Sequence, residues 1–160
     1  MTIKQNLTFK IPCEFISHNP KQTLDFAENF AKIIKPGDFI AFFGTLGVGK
    51  TLFIKGLCRG LGFAGDVYSP TFSIMHEYKF CEKNTNLANQ KLIIHCDMYR
   101  ITSEDDLISI GFFDYVNNSN IIITEWSENI IKFLPKKYYK INLNFVNEFE
   151  RSIKITKEGY

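Results

Sequence analysis

The chain has 160 residues, 45% of them hydrophobic and 16 of them Phe, and it balances 19 basic against 17 acidic side chains. That is enough apolar material for one domain spanning residues 1–160 with a proper core, and too even a charge for a general polyanion-binding surface, although a local basic patch stays open. Residues 1–6 lead into no long apolar run, which argues against a secretory signal or a membrane span and predicts a cytoplasmic protein.

Residues 7–17 alternate enough to predict a strand. Pro20 then opens a helix with Leu24, Ala27, Phe30, Ala31 and Ile34 on one face. Phe39–Phe43 is an uninterrupted apolar run entered by Pro36-Gly37-Asp38, which is how a buried parallel strand reads. Directly after it comes Gly44-Thr45-Leu46-Gly47-Val48-Gly49-Lys50-Thr51, which fits G-x-x-x-x-G-K-[ST], the phosphate-binding loop of nucleoside-triphosphatases. Glycines let successive backbone N–H groups curl around phosphate oxygens. Lys50 supplies a mobile cation for the β- and γ-phosphates, and the Thr51 hydroxyl is a hard ligand for Mg²⁺. Leu52, Phe53 and Leu57 continue at helical spacing to about Leu61, with Gly60 and Gly62 ending the run, so the loop's anion would meet a helix N-terminus.

Residues 62–71 are rich in turn formers. Residues 72–80 and 91–96 read as two strands of an antiparallel hairpin, joined by a polar loop over 81–90. Ser103, followed by Glu104, Asp105 and Asp106, is a helix N-cap with acids that suit the dipole. Gly111 breaks that helix, residues 112–116 form a second short helical piece, and 117–120 a turn. Ile121-Ile122-Ile123-Thr124 is the most strand-like run in the chain. Beyond Pro135, residues 138–145 and 151–156 form a last hairpin around Asn147-Glu148. The predicted fold is α/β: a P-loop NTPase-like three-layer sandwich with a mostly parallel central sheet and antiparallel hairpin additions.

A phosphate loop needs an acid at the end of a neighbouring strand. Two strands end that way: one in Asp97, the other in Glu125. One acid can bind Mg²⁺ and the other can position the water that attacks the γ-phosphate; the residues alone leave the two assignments open. Ser69-Pro70-Thr71 is either an ordinary turn or a segment that folds back over the γ-phosphate and offers the Thr71 hydroxyl. His76 and His95 lack zinc-ligand spacing and read as partly buried imidazoles. Cys13, Cys58, Cys81 and Cys96 form no C-x-x-C and read as buried free thiols. Trp126, the only Trp, reads as core, or as an aromatic that shapes a pocket beside Glu125.

The phosphate loop, Ser69-Pro70-Thr71-Phe72, His95-Cys96-Asp97-Met98-Tyr99-Arg100 and Glu125-Trp126 together resemble, in order and spacing, the bacterial TsaE family, the ATPase component of the machinery that makes threonylcarbamoyladenosine in tRNA. The likeness runs from about Phe15 to Ile155. It implies that Lys50 and the loop backbone hold the phosphates of ATP, that Thr51 and Glu125 form the Mg²⁺ site, that Asp97 acts at the phosphate side, and that Thr71 belongs to a nucleotide-sensing switch. Residues 17–20, ending in Pro20, would lie along the adenine. Cys96 stands where the family usually has Phe and Met98 where it has Leu; neither carries chemistry. The resemblance further implies binding to the TsaD–TsaB pair and ATP hydrolysis that resets that complex. Threonylcarbamoyl transfer to tRNAs reading ANN codons would belong to TsaD, and tRNA would be met only through the complex. Three alternatives compete. A GTPase calls for an Asn/Thr-Lys-x-Asp element, absent after Glu125. A small-molecule kinase calls for lid arginines, and the chain has only Arg59, Arg100 and Arg151. A protein whose ATP occupancy alone is the signal stays open.

Overall fold

The computed structural model describes residues 9–80 and 91–160. In chain order the elements are β1 (Cys13–Ser17), α1 (Pro20–Ala31), β2 (Phe39–Phe43), α2 (Lys50–Gly60), β3 (Met75–Phe80), β4 (Lys91–Asp97), α3 (Glu104–Ser109), α4 (Phe112–Tyr115), β5 (Ile121–Glu125), a 3₁₀ segment (Ser127–Phe133), β6 (Tyr138–Phe145) and β7 (Arg151–Glu158). The predicted 81–90 loop lies outside the described residues.

The strands make one seven-stranded sheet in the order β1-β7-β6-β2-β5-β4-β3. β2 is central, parallel to β5 on one side and β6 on the other, and β4 runs parallel to β5. The outer pairings, β1–β7, β6–β7 and β3–β4, are antiparallel. This is the predicted α/β sheet, parallel in the middle with antiparallel additions.

Side chains alternate across the sheet, so continuous apolar runs feed two cores. Ile40, Phe42, Ile93, Ile121 and Ile123 join Phe30 of α1 and Phe53, Ile54 and Leu57 of α2 on one face. Phe39, Ala41, Ile94, Cys96 and Ile122 join Leu107, Phe112 and Ile130 on the other. Helical layers thus cover both faces.

Local chemistry explains the boundaries. β1 starts only at Cys13, later than expected, because Pro12 has no N–H for the ladder. Asn19 caps α1 by accepting from the Gln22 N–H, and Pro20 fills the first helical position. α3 has a full capping box between Ser103 and Asp106. β3 starts at Met75 rather than at residue 72. The chain turns first, with the Ile74 N–H on the Pro70 carbonyl at 2.6 Å and Ile74 at φ 66°. That is a costly conformation for a β-branched residue.

α2 ends at Gly60, as the sequence predicts, and that glycine also has a packing role. A Cβ on Gly60 would meet Ala31 Cβ at 2.5 Å, and one on Gly56 would meet the Leu24 carbonyl oxygen at 2.6 Å. The two glycines let α1 and α2 approach backbone to side chain. Gly56→Ala is therefore expected to destabilise the fold. Overpacking costs about 1–3 kcal/mol, against the ~1 kcal/mol that alanine gains in helix propensity. Urea denaturation followed by circular dichroism reads this directly, and an unchanged or higher midpoint would contradict the close approach.

Candidate active site

Between the carboxyl end of β2 and α2, the loop at residues 44–49 takes positive φ at Gly44 (140°), Gly47 (74°) and Gly49 (106°). At Gly44 a Cβ would also lie 2.5 Å from the Leu143 carbonyl oxygen, so only glycine fits. Gly49 gives α2 no side-chain cap. The first-turn N–H groups of α2 therefore point into the loop without a competing acceptor, as an anion site requires.

Lys50 is buried. Its Nζ donates to the carbonyls of Gly44 at 2.6 Å and Thr45 at 3.1 Å and sits 4.0 Å from the centre of the Trp126 ring. Burial pushes its pKa below the usual lysine value, opposed by the charges of Glu125, Glu128 and Asp97. Trp126 owes this position to a left-handed backbone at φ 57°, directly after β5. The sequence left Trp126 between core and pocket wall; it is half-buried and forms the wall.

Asp97 and Glu125 are register partners on parallel β4 and β5, both nearly buried. The Thr51 hydroxyl, on α2, lies 3.1 and 3.2 Å from the two Glu125 carboxylate oxygens. The Thr71 hydroxyl donates to Asp97 Oδ2 at 2.8 Å, and the Tyr99 N–H donates to Oδ1 at 2.9 Å. With the Thr71 proton engaged, the Ser69 hydroxyl donates to Thr71 Oγ1 at 2.8 Å. The Ser69-Pro70-Thr71 turn therefore packs against Asp97. Thr51, Ser69, Thr71, Asp97 and Glu125 line a cleft of about 200 Å³ that runs from the loop to Trp126.

His95 is more buried than expected, with no exposed surface, and its Nε2 lies 2.8 Å from Glu125 Oε1. His76 is half-buried. Cys58 and Cys96 are buried free thiols, and burial raises the Cys58 pKa to about 12 and that of Cys96 further. Cys13 is half-buried, and Cys81 lies outside the described residues.

A second cavity, about 160 Å³, adjoins the loop on its other side and shares Gly47, Val48, Gly49 and Leu52 with the cleft. Pro20, with Ser17, Asn19 and Thr23, forms one wall; Phe149 and Arg151 form the other. Arg151 is a site residue that sequence reasoning missed. Its Nε donates to the Val48 carbonyl of the loop at 3.2 Å, and its guanidinium also holds the carbonyls of Asn147, Glu148 and Glu150. Its scarcity in the chain was the only available signal.

Hard oxygen donors from Thr51 and Glu125 fit a Mg²⁺ ion that takes its remaining ligands from phosphate and water. Among the described residues no group of three or more His, Cys, Asp or Glu could hold a metal by itself.

A family model described as "Threonylcarbamoyl adenosine biosynthesis protein TsaE" matches residues 17–153. The chain belongs to the TsaE family. Its relatives include the tRNA threonylcarbamoyladenosine biosynthesis protein TsaE of Rickettsia typhi, 34% identical over 144 residues that cover 89% of this chain and 94% of the relative. The protein of the same name from Bacillus subtilis is 35% identical over 141 residues, covering 88% and 83%. The crystal structure of Bacillus subtilis YdiB matches this fold with a TM-score of 0.72 at 28% identity, over 92% of this chain and 86% of that one. The TsaE match spans the phosphate loop, both strand-end acids and the turn at Thr71. Among the described residues no helix is long and apolar enough to cross a membrane.

Proposed function

We propose that this protein is the Mg²⁺-dependent ATPase of threonylcarbamoyladenosine formation in tRNA, working with a TsaD–TsaB pair in the cytoplasm. The observation that carries the reading is the contact between the Thr51 hydroxyl and the Glu125 carboxylate, 74 residues apart in sequence, beside a glycine loop that leads into an α2 N-terminus without a side-chain cap. The loop backbone and Lys50 bind the triphosphate, Lys50 exchanging the Gly44 and Thr45 carbonyls for phosphate oxygens. Thr51 and Glu125 hold Mg²⁺, which neutralises charge on the phosphates when bound. Asp97, fixed by Thr71 and Tyr99, faces the terminal phosphate and orients the attacking water. Pro20 on one wall and Arg151 on the other would hold the base and ribose; that both line a cavity against the same loop supports this reading.

Lys50 held on its own loop supports slow hydrolysis by the isolated chain and completion by a partner. Exposed Leu46, Tyr68, Phe72 and Tyr99 around the cleft mouth suit such docking. The test adds a purified TsaD–TsaB pair to the chain with and without ATP. Expected are ATP-dependent co-purification and a rise in hydrolysis. Co-purification with a flat rate would favour ATP occupancy alone as the signal; no association in either condition would overturn the partner.

A further inference from the structure

We propose that His95 is the positioning residue for Glu125: it donates a hydrogen bond from Nε2 to Oε1 and so holds the carboxylate for its cation. The inference rests on the reading of Thr51 and Glu125 as the Mg²⁺ site.

Strand alternation places Ile93, His95 and Asp97 on one face of β4, and Ile123 and Glu125 on the same face of β5. Ile93 joins the core and Asp97 opens onto the cleft. His95 sits between them with no exposed surface, 2.8 Å from Glu125 Oε1 through Nε2. Its Nδ1 is buried and has no hydrogen-bond partner among the described residues. An unpartnered buried polar atom is costly. A position that needed only to fill the core would carry no nitrogen at all, so the imidazole is there for its other edge.

The unpartnered Nδ1 also fixes where the proton sits. A proton on Nδ1 would bury an N–H with no acceptor and set two lone pairs, Nε2 and Oε1, face to face at 2.8 Å. A proton on Nε2 removes both problems and leaves only a bare lone pair in the core. The carboxylate then has two donors of different kinds. Thr51 spans both oxygens, whereas His95 meets Oε1 only. When Thr51 turns its lone pairs to a cation, His95 is the donor that still pins Glu125. Hydrogen-bonded ligand carboxylates are the rule in metal sites, and losing such a partner typically costs 10–100-fold in metal affinity or activity.

The first test reads the ring itself. In ¹⁵N-labelled protein carrying His18→Asn and His76→Asn, His95 is the only imidazole left of the three. The expected signal is a protonated Nε2 with an unprotonated Nδ1; a proton on Nδ1 overturns the proposal. The second test titrates Mg²⁺ at fixed ADP and follows fluorescence of Trp126, the only Trp. His95→Leu should raise the half-saturating Mg²⁺ about 10–100-fold while Mg²⁺-free ADP affinity stays within about two-fold. His95→Gln, whose amide nitrogen reaches about as far as Nε2, should recover most of the loss. Unchanged Mg²⁺ dependence in folded His95→Leu, or no recovery in His95→Gln, overturns the role of His95 alone. Wild-type protein without any Mg²⁺-dependent nucleotide response overturns the functional reading, and this inference with it.

Discussion

Glu125→Ala is expected to keep nucleotide binding and lose turnover by about 10²-fold or more. A bound cation contributes several kcal/mol of charge stabilisation in phosphoryl transfer, and each ~1.4 kcal/mol is a factor of ten in rate. Glu125 is the carboxylate within reach of the Thr51 hydroxyl, so no nearby group replaces it. Asp97 ends the neighbouring strand, where Thr71 and the Tyr99 N–H hold it, and it accepts no hydrogen bond from Thr51. The loop that grips the phosphates does not depend on Glu125, which is why binding survives. Removing the carboxylate also leaves the buried His95 Nε2 short of an acceptor, while the half-buried Thr51 hydroxyl can turn to water, so the variant loses stability as well. Glu125→Gln separates the effects: it keeps an acceptor oxygen and loses the charge. Single-turnover hydrolysis beside calorimetric ATP binding measures both, and normal turnover in either folded variant would remove Glu125 from the metal site.

The parts of the site that were legible in the sequence are those where the chemistry is local or follows a period. The phosphate loop needs its glycines and Lys50-Thr51 at fixed spacing, so it shows in one dimension. Asp97 and Glu125 were legible because each ends an apolar strand, and strand ends in a parallel sheet share a crevice. The partnership of His95 with Glu125 could have been read from the same alternation, since His95 and Asp97 stand two apart on one strand face. What did not show depends on contacts between distant segments. Ile74 takes φ 66° because Pro70 and β4 both bond its backbone, and nothing in an isoleucine announces that. Arg151 reaches Val48, 103 residues back, only because β7 pairs with β6, which pairs with β2. Gly60 reads in the sequence as a stop in α2, and Gly56 carries no signal of its own. Their reason is the backbone of α1, which a helical pattern read on its own does not contain.

Lys50→Ala is expected to weaken ATP binding by about 10- to 10²-fold and to leave AMP binding within about two-fold. A hydrogen bond to a charged group is worth about 1.5–3 kcal/mol, which is that range in dissociation constant. AMP, lacking the β- and γ-phosphates, never meets the ammonium. Lys50→Arg should not rescue, because the pocket was shaped for a compact charge. Nζ fits between two carbonyl oxygens at 2.6 and 3.1 Å under the Trp126 ring, and a planar guanidinium fork does not. Burial lowers the Lys50 pKa in the free protein, while phosphate favours the charged form. As pH rises through that lowered value, binding must recruit a proton. ATP affinity of the wild type should therefore fall at alkaline pH sooner than an ordinary lysine would give, and Lys50→Ala should show no such fall. Calorimetric titrations with ATP and AMP across the alkaline range test all of this together. Equal losses for the two nucleotides would mean that Lys50 acts by holding the loop in shape and not by meeting the phosphates.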